Sequence, residues 1–172
     1  MIRIEEYVSE GGSPFRRWFD DLDTQAAASV TVAIERLAEG NTSNVKPIGE
    51  GATTRSEGAA KDDVMPLTRS FRDTVRARAE REPAFRRALF QEAVQALLQG
   101  ESDQGRAALR AYINATVGFD RLGEVLGRSP KSLMRMFGPG GNPTAENLLG
   151  VIGALQEETG VHLKIRAVTE AA

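Results

Sequence analysis

The sequence predicts a mainly α-helical protein: a helical domain built around a helix-turn-helix pattern, with a C-terminal dimerisation strand. A linker and a small incomplete β-α-α fragment precede it. Three observations carry this. Ala, Leu, Arg and Glu are frequent while β-branched runs are few, a balance that favours helices. Apolar residues recur at helical spacing from Leu67 almost to the end. Between Phe119 and Phe137, two short helical patterns flank a turn at Gly127. The expected boundaries are 1–48 for the fragment, 49–64 for the linker and 65–172 for the helical domain.

The fragment opens with Ile2–Val8, where Ile2, Ile4 and Val8 alternate as a half-buried strand and Glu6 breaks the row. Ser13-Pro14 caps and starts a helix that places Phe15, Trp18, Phe19 and Leu22 in one apolar stripe. A second helix, Thr24–Ala38, carries Ala27, Val30, Ile34 and Leu37 on one face, with Gly40 after it. Asp20, Asp21 and Asp23 lie at the junction, where capping explains them better than metal binding. A strand and two helices need a sheet to complete their core, yet Gly40–Asp63 offers little apolar material and reads as a linker.

From Leu67 onward the chain reads as helical. A helix from Thr68 to about Glu80 has Phe71 and Val75 inward among Arg69, Arg72, Arg76 and Arg78, and is expected to present a solvated or partner-binding face. Pro83 starts a helix with Phe85, Leu89, Ala93, Ala96 and Leu97 inward; Ser102 caps the next, which carries Leu109, Tyr112, Ile113 and Val117. Helices at about 119–126 and 130–137 follow. After the Pro-Gly-Gly-Asn-Pro loop at 139–143 comes a helix to about Thr159, with Leu148, Leu149, Ile152 and Leu155 inward and Gly160 as its cap. The alternation in Val161–Val168 signals a strand. With no partner in its own domain it is expected to pair with a second copy, the alternative being Ile2–Val8 of the same chain.

The candidate site is the helix pair at 119–137. Gly123 sits where the helices cross, with no room expected for a side chain larger than alanine, and Gly127 takes the turn. Leu122, Leu126, Leu133 and Phe137 are core. Ser129, Lys131, Ser132 and Arg135 project from the half of the second helix that reads base edges, and Arg121 and Arg128 flank it as phosphate contacts. The competing reading is a corner of two helices with a solvated basic face, and Glu124 on the same surface opposes phosphate. Charge distribution agrees weakly with DNA: residues 65–172 hold 15 Lys and Arg against 12 Asp and Glu, whereas 1–64 hold 7 against 12.

The chain has no cysteine, so thiolate chemistry and disulfides are excluded. It shows no nucleophile-base set, phosphate loop or metal-ligand spacing, and its single histidine, His162, lies on the polar side of the last strand. The expectation is therefore no enzymatic activity, no cofactor and no metal site. No apolar run approaches a membrane span and the N-terminus does not read as a signal peptide, so a cytoplasmic location is expected.

Two resemblances add to this reading. Residues 65–168 resemble the HigA-like putative addiction module antidotes, Cro/repressor-type antitoxins of bacterial type II toxin–antitoxin systems. The resemblance rests on Leu67-Thr-Arg-Ser-Phe-Arg-Asp-Thr-Val, Pro83-Ala-Phe-Arg-Arg-Ala-Leu-Phe-Gln-Glu-Ala, Tyr112-Ile-Asn-Ala-Thr-Val-Gly-Phe and, above all, Pro130-Lys-Ser-Leu-Met-Arg-Met-Phe-Gly-Pro-Gly-Gly-Asn-Pro-Thr-Ala-Glu-Asn-Leu. Where the broader repressor family usually has an apolar residue after the turn glycine, this chain has Arg128. Residues 1–51 look like the N-terminus of a RelE/ParE toxin of the HigB kind, through Gly12-Ser-Pro-Phe-Arg-Arg-Trp-Phe-Asp-Asp-Leu, the Ala-rich helix and Val45-Lys-Pro-Ile-Gly-Glu-Gly51. The match stops where the toxin's catalytic sheet would begin, so no catalytic residue carries over. The resemblances imply an autoregulating, homodimeric, DNA-binding antitoxin fused to an inactive piece of toxin, with double-stranded operator DNA as partner. Neutralisation of an intact RelE/HigB-like toxin is the alternative role, with DNA binding secondary. The junction composition and Met65 suggest an in-frame deletion between two genes as the origin.

Overall fold

The computed structural model describes residues 3–40 and 67–166. The whole proposed linker lies outside them. Their order is β1 (Glu5–Val8), α1 (Pro14–Asp21), α2 (Thr24–Ala38), β2 (Leu67–Ser70), α3 (Phe71–Arg81), α4 (Pro83–Leu98), α5 (Ser102–Ala115), α6 (Phe119–Leu126), α7 (Pro130–Met136) and α8 (Ala145–Thr159). The architecture is mainly helical, with one small two-stranded sheet.

That sheet corrects the sequence reading at both its strands. Residues 67–70, expected to begin a helix, instead form β2, antiparallel to β1 with Glu6 opposite Arg69 and Val8 opposite Leu67. The helix starts at Phe71. Glu6 does not interrupt the inward face of β1; it lies on that face and is buried. Its carboxylate is satisfied there by the hydroxyls of Ser13 (2.7 Å) and Thr74, with the Arg69 guanidinium 3.9 Å away. A buried carboxylate is tolerated where such donors replace its water.

The helices of the first segment are not orphaned. Phe19, Ala27, Ala28 and Val32 belong to the same apolar cluster as Phe71, Phe85, Leu109 and Tyr112. Phe19 meets Phe71 and Phe85 edge-on, with centroids 6.1 and 5.9 Å away, an arrangement that suits the ring quadrupoles. At the centre lies α5, which packs against α2, α3, α4 and α6 and is buried along most of its length. Small side chains at Ala107, Ala108, Ala111 and Ala115 allow its neighbours to approach closely. Glu101, not Ser102, occupies its N-cap position, and no side chain caps it.

Inward faces rotate from their expected positions. In α2 the buried residues are Ala27, Ala28, Thr31, Val32, Glu35 and Ala38, so Val30 and Ile34 move to the flank. Trp18 in α1 and Leu149 in α8 are exposed, and Val151 joins Leu155 in the core instead. Asp23 caps α2 through Gln25 and Ala26 N–H, as capping chemistry requires.

Charge as well as apolar surface joins the two segments. Arg78, its side chain 3% exposed, donates to the carbonyls of Phe19 and Leu22 at the end of α1, pairs with Glu82 at 2.9 Å and lies over the Phe19 and Phe85 rings. Arg72 donates to Glu35 at 2.6 Å, and Arg81 to Asp20 at 2.9 Å. The arginine-dense α3 is thus a receptor for the chain's own N-terminal segment.

The expected C-terminal strand is not formed among the described residues. Residues 161–166 make no β-pairing, neither with β1, whose partner is β2, nor with another segment; residues 167 and 168 lie outside the description. Val161 and Leu163 pack against the core while Ile165 is exposed. A strand needs a partner ladder, and α8 uses side chains instead: Gln156 accepts from Leu163 N–H at 2.8 Å.

Two stability consequences follow from these contacts. Arg78→Met leaves two carbonyls and Glu82 without their donor, and should cost about 3 kcal/mol, read as a lower urea midpoint at unchanged slope. Glu39 behaves oppositely: burial raises its carboxyl above the usual range, and Arg110 lowers it less. Its ionised form is thus the one the fold disfavours, so it subtracts from stability as pH rises through the raised value. Glu39→Gln should match or exceed the parent's stability at pH 7, and the difference should close near the unfolded value of about 4.3.

Candidate nucleic-acid interface

Two short helices and their turn form the candidate site. In α6, Phe119, Leu122 and Gly123 are buried, and Val125 faces solvent. The helix ends in paired bonds from Gly127 N–H to the Glu124 carbonyl (3.3 Å) and from Arg128 N–H to the Gly123 carbonyl (2.9 Å), a Schellman arrangement. Gly127 takes φ 61° and ψ 33°, the left-handed conformation such an ending needs. Ser129 then caps α7 by accepting from Ser132 N–H at 3.2 Å, and Pro130 occupies its first turn. Leu133 and Phe137 anchor α7 in the core.

Gly123 is more tightly constrained than the sequence suggests. A Cβ there would lie 2.6 Å from the Arg128 carbonyl oxygen and 3.2 Å from Pro130 Cδ. Alanine itself does not fit, because the obstacle is backbone of the turn and not a movable side chain.

The six candidate residues do not share one state. Arg128, Lys131 and Arg135 are exposed, and none has an acidic partner among the described residues. Ser129 is exposed, with its hydroxyl committed to capping α7 through the Ser132 N–H, and Ser132 is half-buried. Arg121 is also exposed but engaged: it grips Glu158 of α8 with two bonds (2.9 and 3.1 Å) and touches Glu124 at 3.3 Å. Those hydrogen bonds, to Glu158 first, raise its pKa further. Glu124, expected to oppose phosphate, is partly neutralised by the same contact. Arg128 also lines a cleft of about 230 Å³ with Glu146 and Asn147 of α8.

Two residues escaped the sequence reading. Met134 is partly exposed between Lys131 and Arg135, where an apolar side chain can contact a thymine methyl. Arg110, buried in α5, donates from Nη1 to the Met134 carbonyl at 3.0 Å. The signal for Arg110 was present: a single charge within the otherwise apolar run Ala107-Ala-Leu-Arg-Ala-Tyr-Ile113.

No helix among the described residues is long and apolar enough to cross a membrane, and no cluster of His, Asp or Glu there could hold a metal ion. Compared with protein-family profiles, characterised proteins and solved structures, the chain has no match.

Gly123→Ala should destabilise the protein by about 2 kcal/mol, the cost typical of overpacking, whereas Gly150→Ala on α8, with open space around it, should be neutral or slightly stabilising. Thermal unfolding of the two variants checks the contrast.

Proposed function

We propose that the chain is a DNA-binding transcriptional repressor of the antitoxin kind, with α6 and α7 as its helix-turn-helix and α7 entering the major groove. One observation carries the reading: α7 is seated by glycine-dependent turn geometry, and the turn and helix together present Arg128, Lys131 and Arg135 without carboxylate partners among the described residues. Elsewhere among the described residues most arginines are engaged, Arg87 and Arg166 being the exceptions. From Arg69 to Arg121, every one except Arg87 is bonded to a carboxylate or a carbonyl. Free guanidinium and ammonium groups on one short helix and the turn that leads into it suit phosphate and guanine.

In this reading Lys131, Ser132 and Arg135 face base edges, Arg128 and Ser129 the backbone, and Met134 the thymine methyls. Arg121 acts through Glu158, bracing α6 against α8. A homodimer pairing through Val161–Val168 supplies two reading helices, which fit half-sites about 34 Å apart. The exposed Ile165 supports that pairing. Autoregulation of its own operon follows the resemblance to addiction-module antitoxins, with residues 3–40 serving as a built-in remnant of toxin. The second reading, capture of an intact toxin by the arginine-rich helices, meets a surface on α3 already held by residues 3–40.

Titration of the full chain onto DNA from upstream of its own coding region, at several salt concentrations, tests the proposal. Binding should weaken steeply with salt, and Arg128→Ala should reduce the slope of log K against log salt by about 1. Arg135→Ala should lower affinity by about tenfold or more and relax preference at one position of the site. Absence of salt-dependent binding overturns the reading.

A further inference from the structure

We propose that Arg110 is a positioning residue that couples the seating of the N-terminal segment to the presentation of α7 on DNA. The inference rests on the helix-turn-helix reading and goes beyond it, since it gives residues 3–40 a part in DNA recognition.

Arg110 projects from α5 into a place where three elements meet. Its Nη1 donates to the carbonyl of Met134 at 3.0 Å. That carbonyl needs a donor, because the amide four residues on, Gly138 N–H, bonds to Arg135 instead. A seven-residue helix has few internal bonds, so the loss of one side-chain donor at its end is a large fraction of what holds it. The guanidinium carbon lies 5.7 Å from the centroid of Phe119, the first residue of α6. On its other side Nε is 3.3 Å from Oε1 of Glu35 on α2 and 4.0 Å from Oε1 of Glu39, the C-cap of α2. Glu35 is itself almost fully buried and also holds Arg72 of α3.

The guanidinium is a planar fork, so its orientation toward α7 is set by what holds its other edge. The carboxylates that hold that edge belong to α2. When α2 is in place, Arg110 is neutralised and aimed at the end of α7; when α2 is displaced, a buried charge loses its partners and the group must move toward solvent or another acceptor. The bond to Met134 then loses its geometry. Seating of residues 3–40 thereby orders the segment that carries Lys131, Met134 and Arg135.

Glu35→Gln, in the full chain, tests this against Arg72→Gln as control. Both weaken the contact between α2 and α3, but only the first removes a carboxylate partner from Arg110. Two measurements are made: hydrogen exchange at the Phe137 and Gly138 amides without DNA, and affinity for the upstream DNA at one salt concentration. Glu35→Gln should speed exchange at those two amides by about tenfold relative to α4 and lower affinity by a similar factor, with the salt slope unchanged. Arg72→Gln should leave both within about twofold. If Glu35→Gln fails to fold, Arg110→Lys, which keeps the charge and loses the fork, carries the same expectations. Equal effects of Glu35→Gln and Arg72→Gln on α7, or no effect of Glu35→Gln or Arg110→Lys on it, overturn the coupling. Absence of DNA binding by the parent chain instead overturns the function proposed above, and the exchange measurement still decides the coupling.

Discussion

The structure depends on neutralising the charges that its own packing buries. Glu6, Glu35, Arg78 and Arg110 all lie where residues 3–40 meet the later helices. An apolar interface tolerates a range of docking angles, but a buried charge tolerates only those in which its partners are within reach. Arg78 must find the last carbonyls of α1, and Glu35 must find both Arg72 and Arg110. These requirements define how α1 and α2 sit on α3 and α5. The ring contacts of Phe19 with Phe71 and Phe85 supply apolar burial in the arrangement the charges select.

This organisation gives the N-terminal segment a structural role that its incomplete strand-and-helix pattern does not suggest. Its strand finds a partner in β2, its helices close the core over α3, α4 and α5, and its carboxylates hold the arginines of that surface. A segment that reads in sequence as an incomplete strand-and-two-helix fragment acts as an integral piece of the fold. The consequence reaches the candidate DNA-binding surface, because Arg110 touches α2, the start of α6 and the end of α7 at once.

The cationic groups divide accordingly. Arginines from Arg69 to Arg121 are mostly consumed in holding helices together, whereas Arg128, Lys131 and Arg135 remain available on α7 and the turn before it. Arg121 shows the distinction most clearly: its position in sequence suits a phosphate contact, but Glu158 of α8 holds it. Net charge per segment therefore does not show which charges are free, because most of the cations of the later segment are paired within the fold.

What the sequence determined by itself is local. Ser13, Asp23 and Ser129 cap their helices, Gly127 and Gly160 end theirs in the left-handed conformation, and the bounds of α2 and α6 follow from propensity and capping alone. Such features depend on residues within one turn of each other, so they are readable in order along the chain. Tertiary structure decided the rest. Leu67–Ser70 is a strand because β1 offers a ladder 60 residues upstream, and residues 161–166 are not one because no ladder is available to them among the described residues. The inward face of α2 includes Glu35 because Arg72 and Arg110 wait there, and Gly123 excludes even a methyl because the Arg128 carbonyl turns back onto it. Lys131 and Arg135 were legible as candidates from spacing within α7; their availability, and the engagement of Arg121, depended on where α8 and its carboxylates came to lie.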